Sequence, residues 1–92
     1  MIVQAKRSFQ KDLRKCPRYI QQMAVEVIET LEASKDFQTA NLDITRMVQG
    51  KKTNYYRIRV GEWRIGCELI EPAVVLLRIM TRGDIYKAFP PK

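Results

Sequence analysis

The sequence predicts an α+β domain of order β-α-α-β-β-β, in which an N-terminal helical hairpin packs on one face of an antiparallel sheet. Three observations lead there. A glycine-centred alternation from Asn54 to Leu69 has the form of a β-hairpin, two apolar stripes of helical period precede it, and a nearly continuous apolar run follows it. The 92 residues allow one domain, 1–92, with a core that buries roughly 60 to 65% of the chain surface on folding. With 46% hydrophobic and 29% charged residues, the composition is that of a globular protein and not of a disordered tail.

Ile2 to Ala5 alternates apolar and polar residues and reads as a first strand. In the helix that follows, Phe9, Leu13 and Cys16 form one apolar stripe, while Lys6, Arg7, Lys11, Arg14 and Lys15 occupy the rest. Pro17 ends that helix and can serve as the first residue of the next, about Pro17 to Ala33. There Ile20, Met23, Ala24, Val27, Ile28 and Leu31 share a face, with Glu26, Glu29 and Glu32 toward water. Ser34 to Asn41 reads as a loop. Leu42 to Gly50 has apolar positions without a clean period, and its secondary structure stays open.

Gly50 to Asn54 reads as a turn into the hairpin. Within the hairpin, glycine at the first of two loop positions suits a type II′ turn, so Gly61 and Glu62 set the register. Val60 then faces Trp63, Ile58 faces Ile65 and Tyr56 faces Cys67, an apolar ladder for the helices to cover. On the other face Arg59 meets Arg64 and Arg57 meets Gly66, an arrangement that leaves that face to Arg57, Arg59 and Arg64. After a turn at Glu71 to Ala73, Val74 to Met80 is apolar enough to be covered on both faces, apart from Arg78, for which Glu68 or Glu71 is the expected partner. Thr81 to Lys87 can form a single helical turn, and Phe89, Pro90 and Pro91 an irregular end.

A net charge of +7 calls for a polyanionic partner. Six basic side chains fall in residues 1–18 and ten from Arg46 onward, whereas residues 19–45 carry Lys35 against five acidic ones. No stretch approaches the roughly 18 apolar residues of a membrane span, and the expectation is a cytoplasmic protein. With no histidine and with Cys16 and Cys67 far apart in apolar surroundings, the expected state is two reduced, packed thiols, with no metal site and no cofactor. Histidine-based hydrolase chemistry is excluded, and neither a Walker loop nor a dinucleotide fingerprint is present.

What remains is the arginine cluster. Like charges opposed in a ladder are destabilising, so the Arg59 and Arg64 pair points to an anion rather than to stability. Arginine forks bind phosphate bidentately and stay charged, and tyrosine can stack on a base or exchange a proton. Such a set can cleave RNA without a metal, by positioning the 2′-hydroxyl for attack on its own phosphodiester and stabilising the crowded phosphorus. Lys51, Lys52, Lys87, Lys11 and Lys15 are candidate RNA contacts, with Tyr55 as a stacking platform on the basic face.

The basic first helix ending in Lys-Cys-Pro, the segment Tyr-Arg-Ile-Arg-Val-Gly-Glu-Trp-Arg-Ile (56–65) and the closing Arg-Gly-Asp-Ile-Tyr-Lys (82–87) resemble the RelE/ParE toxin superfamily of bacterial type II toxin-antitoxin systems. The resemblance spans nearly the whole chain apart from 35–50, and it implies the same fold and a toxin held inactive by a cognate antitoxin, through which it would mainly oligomerise. In the RelE branch it implies a ribosome-dependent, metal-independent endoribonuclease, an mRNA interferase that cuts message in the ribosomal A site and inhibits translation. In the ParE branch it implies a DNA gyrase inhibitor without nuclease activity. A plain basic nucleic-acid-binding module is the remaining alternative.

By this resemblance the catalytic set is Arg57 and Arg59 on the first hairpin strand, Arg64 after the turn, Arg82 after the last strand, and Tyr86; these favour the nuclease branch. Many relatives carry a histidine where this chain has Thr81, and the first-strand pair is often lysine. Arginine is a poor general base, so the acceptor of the 2′-hydroxyl proton is left among Tyr86, a ribosomal group and a water.

Overall fold

The computed structural model describes residues 1–49 and 52–91, without the side chains of residues 49, 52 and 53. Lys51, the side chain of Lys52 and part of the turn expected over 50–54 therefore lie outside the described residues. Strand β1 (Ile2–Ala5) leads into helices α1 (Arg7–Arg14) and α2 (Arg18–Ala33). Strands β2 (Ile44–Gln49), β3 (Lys52–Val60), β4 (Trp63–Ile70) and β5 (Ala73–Thr81) follow, and α3 (Arg82–Ala88) closes the chain. The five strands lie in the order β1-β5-β4-β3-β2. All neighbours are antiparallel except β1, which runs parallel to β5.

The helical hairpin covers the predicted face. Ile20, Ala24, Val27 and Leu31 of α2 and Phe9 of α1 are buried with Ile58, Val60, Ile65 and Cys67 of the hairpin, and Tyr56 and Trp63 pack at the margin. Pro17 stands just before α2 as its cap, one position earlier than expected, where its missing N–H costs nothing. Met23 is the exception on the apolar stripe, 36% exposed. The hairpin register is as read from the sequence: Val60 with Trp63, Ile58 with Ile65, Tyr56 with Cys67, Arg59 with Arg64 and Arg57 with Gly66. Gly61 has φ 59° and no positive φ occurs at Glu62, the signs a type II′ turn requires. Both cysteines are buried free thiols.

Three expectations need correction. The open stretch before the hairpin is a strand: β2 adds an edge to β3, with Ile44 opposite Ile58 and Thr45 opposite Arg57. Its period was hidden because Ile44 packs in the main core while Met47 packs on the opposite face. That opposite face is also not left to arginines alone. Ile85 of α3 and Phe89 fold back over it and bury Tyr55, with Met47, Leu77 and Met80 around them. Tyr55 is thus 5% exposed, its ring 5.5 Å from that of Phe89, and it offers no open platform for a base. Gly66 makes room for this second small core, since a Cβ there would stand 2.7 Å from the Phe89 ring.

The third correction concerns Arg78. Its partner is Asp12 of α1, at 2.7 Å, and not Glu68 or Glu71. The reason lies in the short β1, which pairs only with 73–76 of β5. Beyond it α1 takes over the strand edge: Ser8 Oγ donates to Leu77 O at 2.6 Å, and the Asp12 carboxylate accepts from Ile79 N at 3.1 Å. Backbone groups that an edge strand would leave open are thereby satisfied by helix side chains. Gly66 pairs with Arg78 and Cys67 with Leu76, so Leu77 is an extra residue that bulges β5 at this point.

Candidate active site

On the face away from the main core, the strand register lines up side chains in rows. Residue 43, just before β2, follows the parity of Thr45; its carbonyl accepts from Arg59 N at 2.9 Å, which continues the ladder by one rung. Asp43, Arg59 and Arg64 therefore form one row across three strands, and Thr45, Arg57 and Gly66 form the next. Over these rows stands α3, whose first residue is tied to the hairpin turn by Arg82 N donating to Glu62 O at 3.0 Å. Thr81 caps that helix by accepting from Asp84 N at 3.3 Å.

The result is a cleft of about 330 Å³ lined by Asp43, Thr45, Arg57, Arg59, Glu62, Arg64, Arg82 and Tyr86. All five residues expected to be catalytic meet there. The cleft is polar and holds four guanidinium groups against two carboxylates, so an anion entering it meets a positive field. The opposed arginines are kept apart by separate partners. Arg64 Nη1 donates to Gly61 O and Trp63 O, each at 2.9 Å, while Arg59 leans toward Asp43 at 3.9 Å.

Arg57 packs against Tyr86. Its guanidinium lies 4.8 Å from the centroid of the Tyr86 ring, and its Nε is buried with no hydrogen-bond partner among the described residues. A buried donor on a charged group without an acceptor is costly, and an incoming oxygen anion would relieve that cost. Tyr86 is 59% exposed. Hydrogen bonding and charge from Arg57, and then from Arg82, hold its phenol below the usual tyrosine range, so it gives up a proton more readily than a free tyrosine.

The other predicted contacts stand apart. Lys87 is an exposed residue of α3 that does not line the cleft, and Lys11 is exposed on α1. Lys15 lines a different depression with Asp12, Trp63, Arg78 and Asp84. Sequence reasoning missed Asp43, Thr45 and Glu62. The signal for Glu62 was its place in the predicted turn, whereas Asp43 and Thr45 depend on β2, which the aperiodic stretch concealed. Among the described residues no cluster of His, Cys, Asp or Glu could hold a metal ion, and no helix is long and apolar enough to cross a membrane.

Known proteins share this fold. The chain is 37% identical over 84 residues to Toxin RelE3 of Methanocaldococcus jannaschii, covering 91% of this chain and 93% of that protein. A solved RelB-RelE antitoxin-toxin complex from Methanococcus jannaschii superposes with TM-score 0.77 at 34% identity, covering 95% of this chain and 99% of the other. The archaeal RelE-RelB complex from Pyrococcus horikoshii OT3 shares the fold at TM-score 0.71 and 19% identity, over 89% of this chain and 94% of that one. Residues 3–86 match the family described as ParE toxin of type II toxin-antitoxin system, parDE. On that match and the identity to a RelE toxin, the chain belongs to the RelE/ParE toxin superfamily of type II toxin-antitoxin systems.

Proposed function

We propose that this protein is a toxin of the RelE type, a metal-independent endoribonuclease that cleaves messenger RNA in the A site of the translating ribosome. The observation that carries this reading is the convergence of Arg57, Arg59, Arg64, Arg82 and Tyr86 on one polar cleft. Arg59, Arg64 and Arg82 bind the scissile phosphate and neutralise the charge that builds on it, and Arg57 supplies its unpartnered donor. Tyr86, acidified by its arginine neighbours, gives a proton to the leaving 5′-oxygen. A cognate antitoxin holds the toxin inactive, as RelB accompanies RelE in the similar complexes, and the site of action is the cytosol.

The test is induced expression in a bacterial host, followed by primer extension on an abundant message. Codon-phased cuts confined to translated regions, lost on Arg64→Ala with Arg82→Ala, are expected; removal of one such donor typically costs about 10²- to 10³-fold in rate. Growth arrest and DNA breaks with intact message would instead assign the protein to gyrase, in keeping with the ParE name of the matching family.

A further inference from the structure

The arginine cleft has phosphate binders and a proton donor, but its cations cannot accept a proton at neutral pH. Histidine is absent from the chain. Two carboxylates line the cleft, Asp43 and Glu62. They are held differently. Glu62 is an exposed residue of the hairpin turn, whose carbonyl accepts from Arg82 N at 3.0 Å. Asp43 is fixed as a rung of the sheet: its carbonyl bonds to Arg59 N at 2.9 Å, and its carboxylate lies 3.9 Å from Arg59 Nη1 in the row that continues to Arg64. Neighbouring strands lie about 4.8 Å apart, so a phosphate seated on Arg59 and Arg64 brings its ribose within reach of the Asp43 oxygens.

We propose that Asp43 is the general base of the cleavage, accepting the proton of the attacking 2′-hydroxyl. The proposal rests on the nuclease reading above. The step is balanced within the site. As the proton passes to Asp43 Oδ, the 2′-oxygen bonds to phosphorus and the bond from phosphorus to the 5′-oxygen breaks. The leaving oxygen takes the Tyr86 proton, giving a 2′,3′-cyclic phosphate and a 5′-hydroxyl, and water then returns Asp43 and Tyr86 to their starting forms. The geometry suits such a division. β2 lies at one edge of the floor and α3 packs over β4 and β5, so the base and Arg82 reach the phosphate from opposite sides.

The charged groups around Asp43 are Arg57 and Arg59 of β3, Glu62 of the turn, Arg64 of β4, and Arg82 with Tyr86 of α3. The experiment is single-turnover cleavage on ribosomes programmed with a defined message. Asp43→Asn is expected to cut about 10²- to 10⁴-fold more slowly while binding programmed ribosomes as well as the wild type. Glu62→Gln should slow the cut far less than Asp43→Asn does. The decisive variant is Asp43→His, which should restore part of the rate and gain an acid limb at or below about pH 6.5, the ordinary imidazole range. A wild-type rate for Asp43→Asn, or a slow Asp43→His with no acid limb, overturns the base assignment while leaving the nuclease reading intact. No cleavage by the wild-type protein on programmed ribosomes overturns the nuclease reading itself.

Discussion

Replacing Gly66 with alanine is expected to unseat the C-terminal segment and, with it, two of the cleft residues. A Cβ at this position would stand 2.7, 2.7 and 2.9 Å from three atoms of the Phe89 ring, well inside the distance at which carbon atoms attract. Phe89 must move. It is 3% exposed and packs edge-on against Tyr55, so its displacement opens the second core beneath α3. Overpacking of this kind costs about 1–3 kcal/mol. With a urea slope of roughly 1–3 kcal/mol/M for a small domain, a 2 kcal/mol loss lowers the unfolding midpoint by about 1 M. A double-mutant cycle locates the cause. Phe89→Ala alone is expected to cost about 3 kcal/mol, as large-to-small core changes do, and in that background Gly66→Ala should cost almost nothing. The coupling should approach the full single-mutant penalty. If Gly66→Ala costs as much without the Phe89 ring as with it, the steric reasoning is wrong and the loss comes from the strand backbone. The same variant should lose cleft activity more steeply than stability, because Arg82 and Tyr86 ride on the displaced helix.

Asp12→Asn should cost about 2–3 kcal/mol in equilibrium unfolding, since Arg78 loses its charged partner in a half-buried setting; an unchanged midpoint would mean that water replaces the carboxylate fully. In an ultraviolet titration, Tyr86 should ionise below the other tyrosines, and Arg57→Ala should return it toward the ordinary range more than Arg82→Ala does. Because that folded-state value is depressed, the linked stability is complete above the unfolded tyrosine range near pH 10 and is lost as pH falls through the lower folded value. Cys67 behaves in the opposite sense. Burial pushes its thiol up to about 12 from an ordinary 9.0, so the native state keeps a proton that the unfolded chain releases, and stability should fall as pH rises from 9 toward 12. Thiol reagents at pH 8 should therefore label Cys67 only after unfolding.

The hairpin was legible because its rules are local: glycine at the first loop position sets the turn, and the turn sets which side chains are paired. The opposed arginines followed directly. What escaped detection depends on contacts distant in sequence. Met47 and Tyr55 looked like one misplaced apolar residue and one exposed aromatic because the surface they cover is supplied by Ile85 and Phe89, some thirty or more residues later. Arg78 was assigned to nearby glutamates, yet its partner sits 66 positions earlier on α1. Asp43 could not be placed in the cleft before β2 was known to be a strand.

The parallel pairing of β1 with β5 also governs when this protein can exist. The strand made first waits for a partner at residues 73–76, and synthesis runs from the N-terminus. A nascent chain complete through the hairpin still has an unpaired β1, no α3 and neither Arg82 nor Tyr86. A chain cut off before β5 thus lacks both the partner of its first strand and a finished cleft.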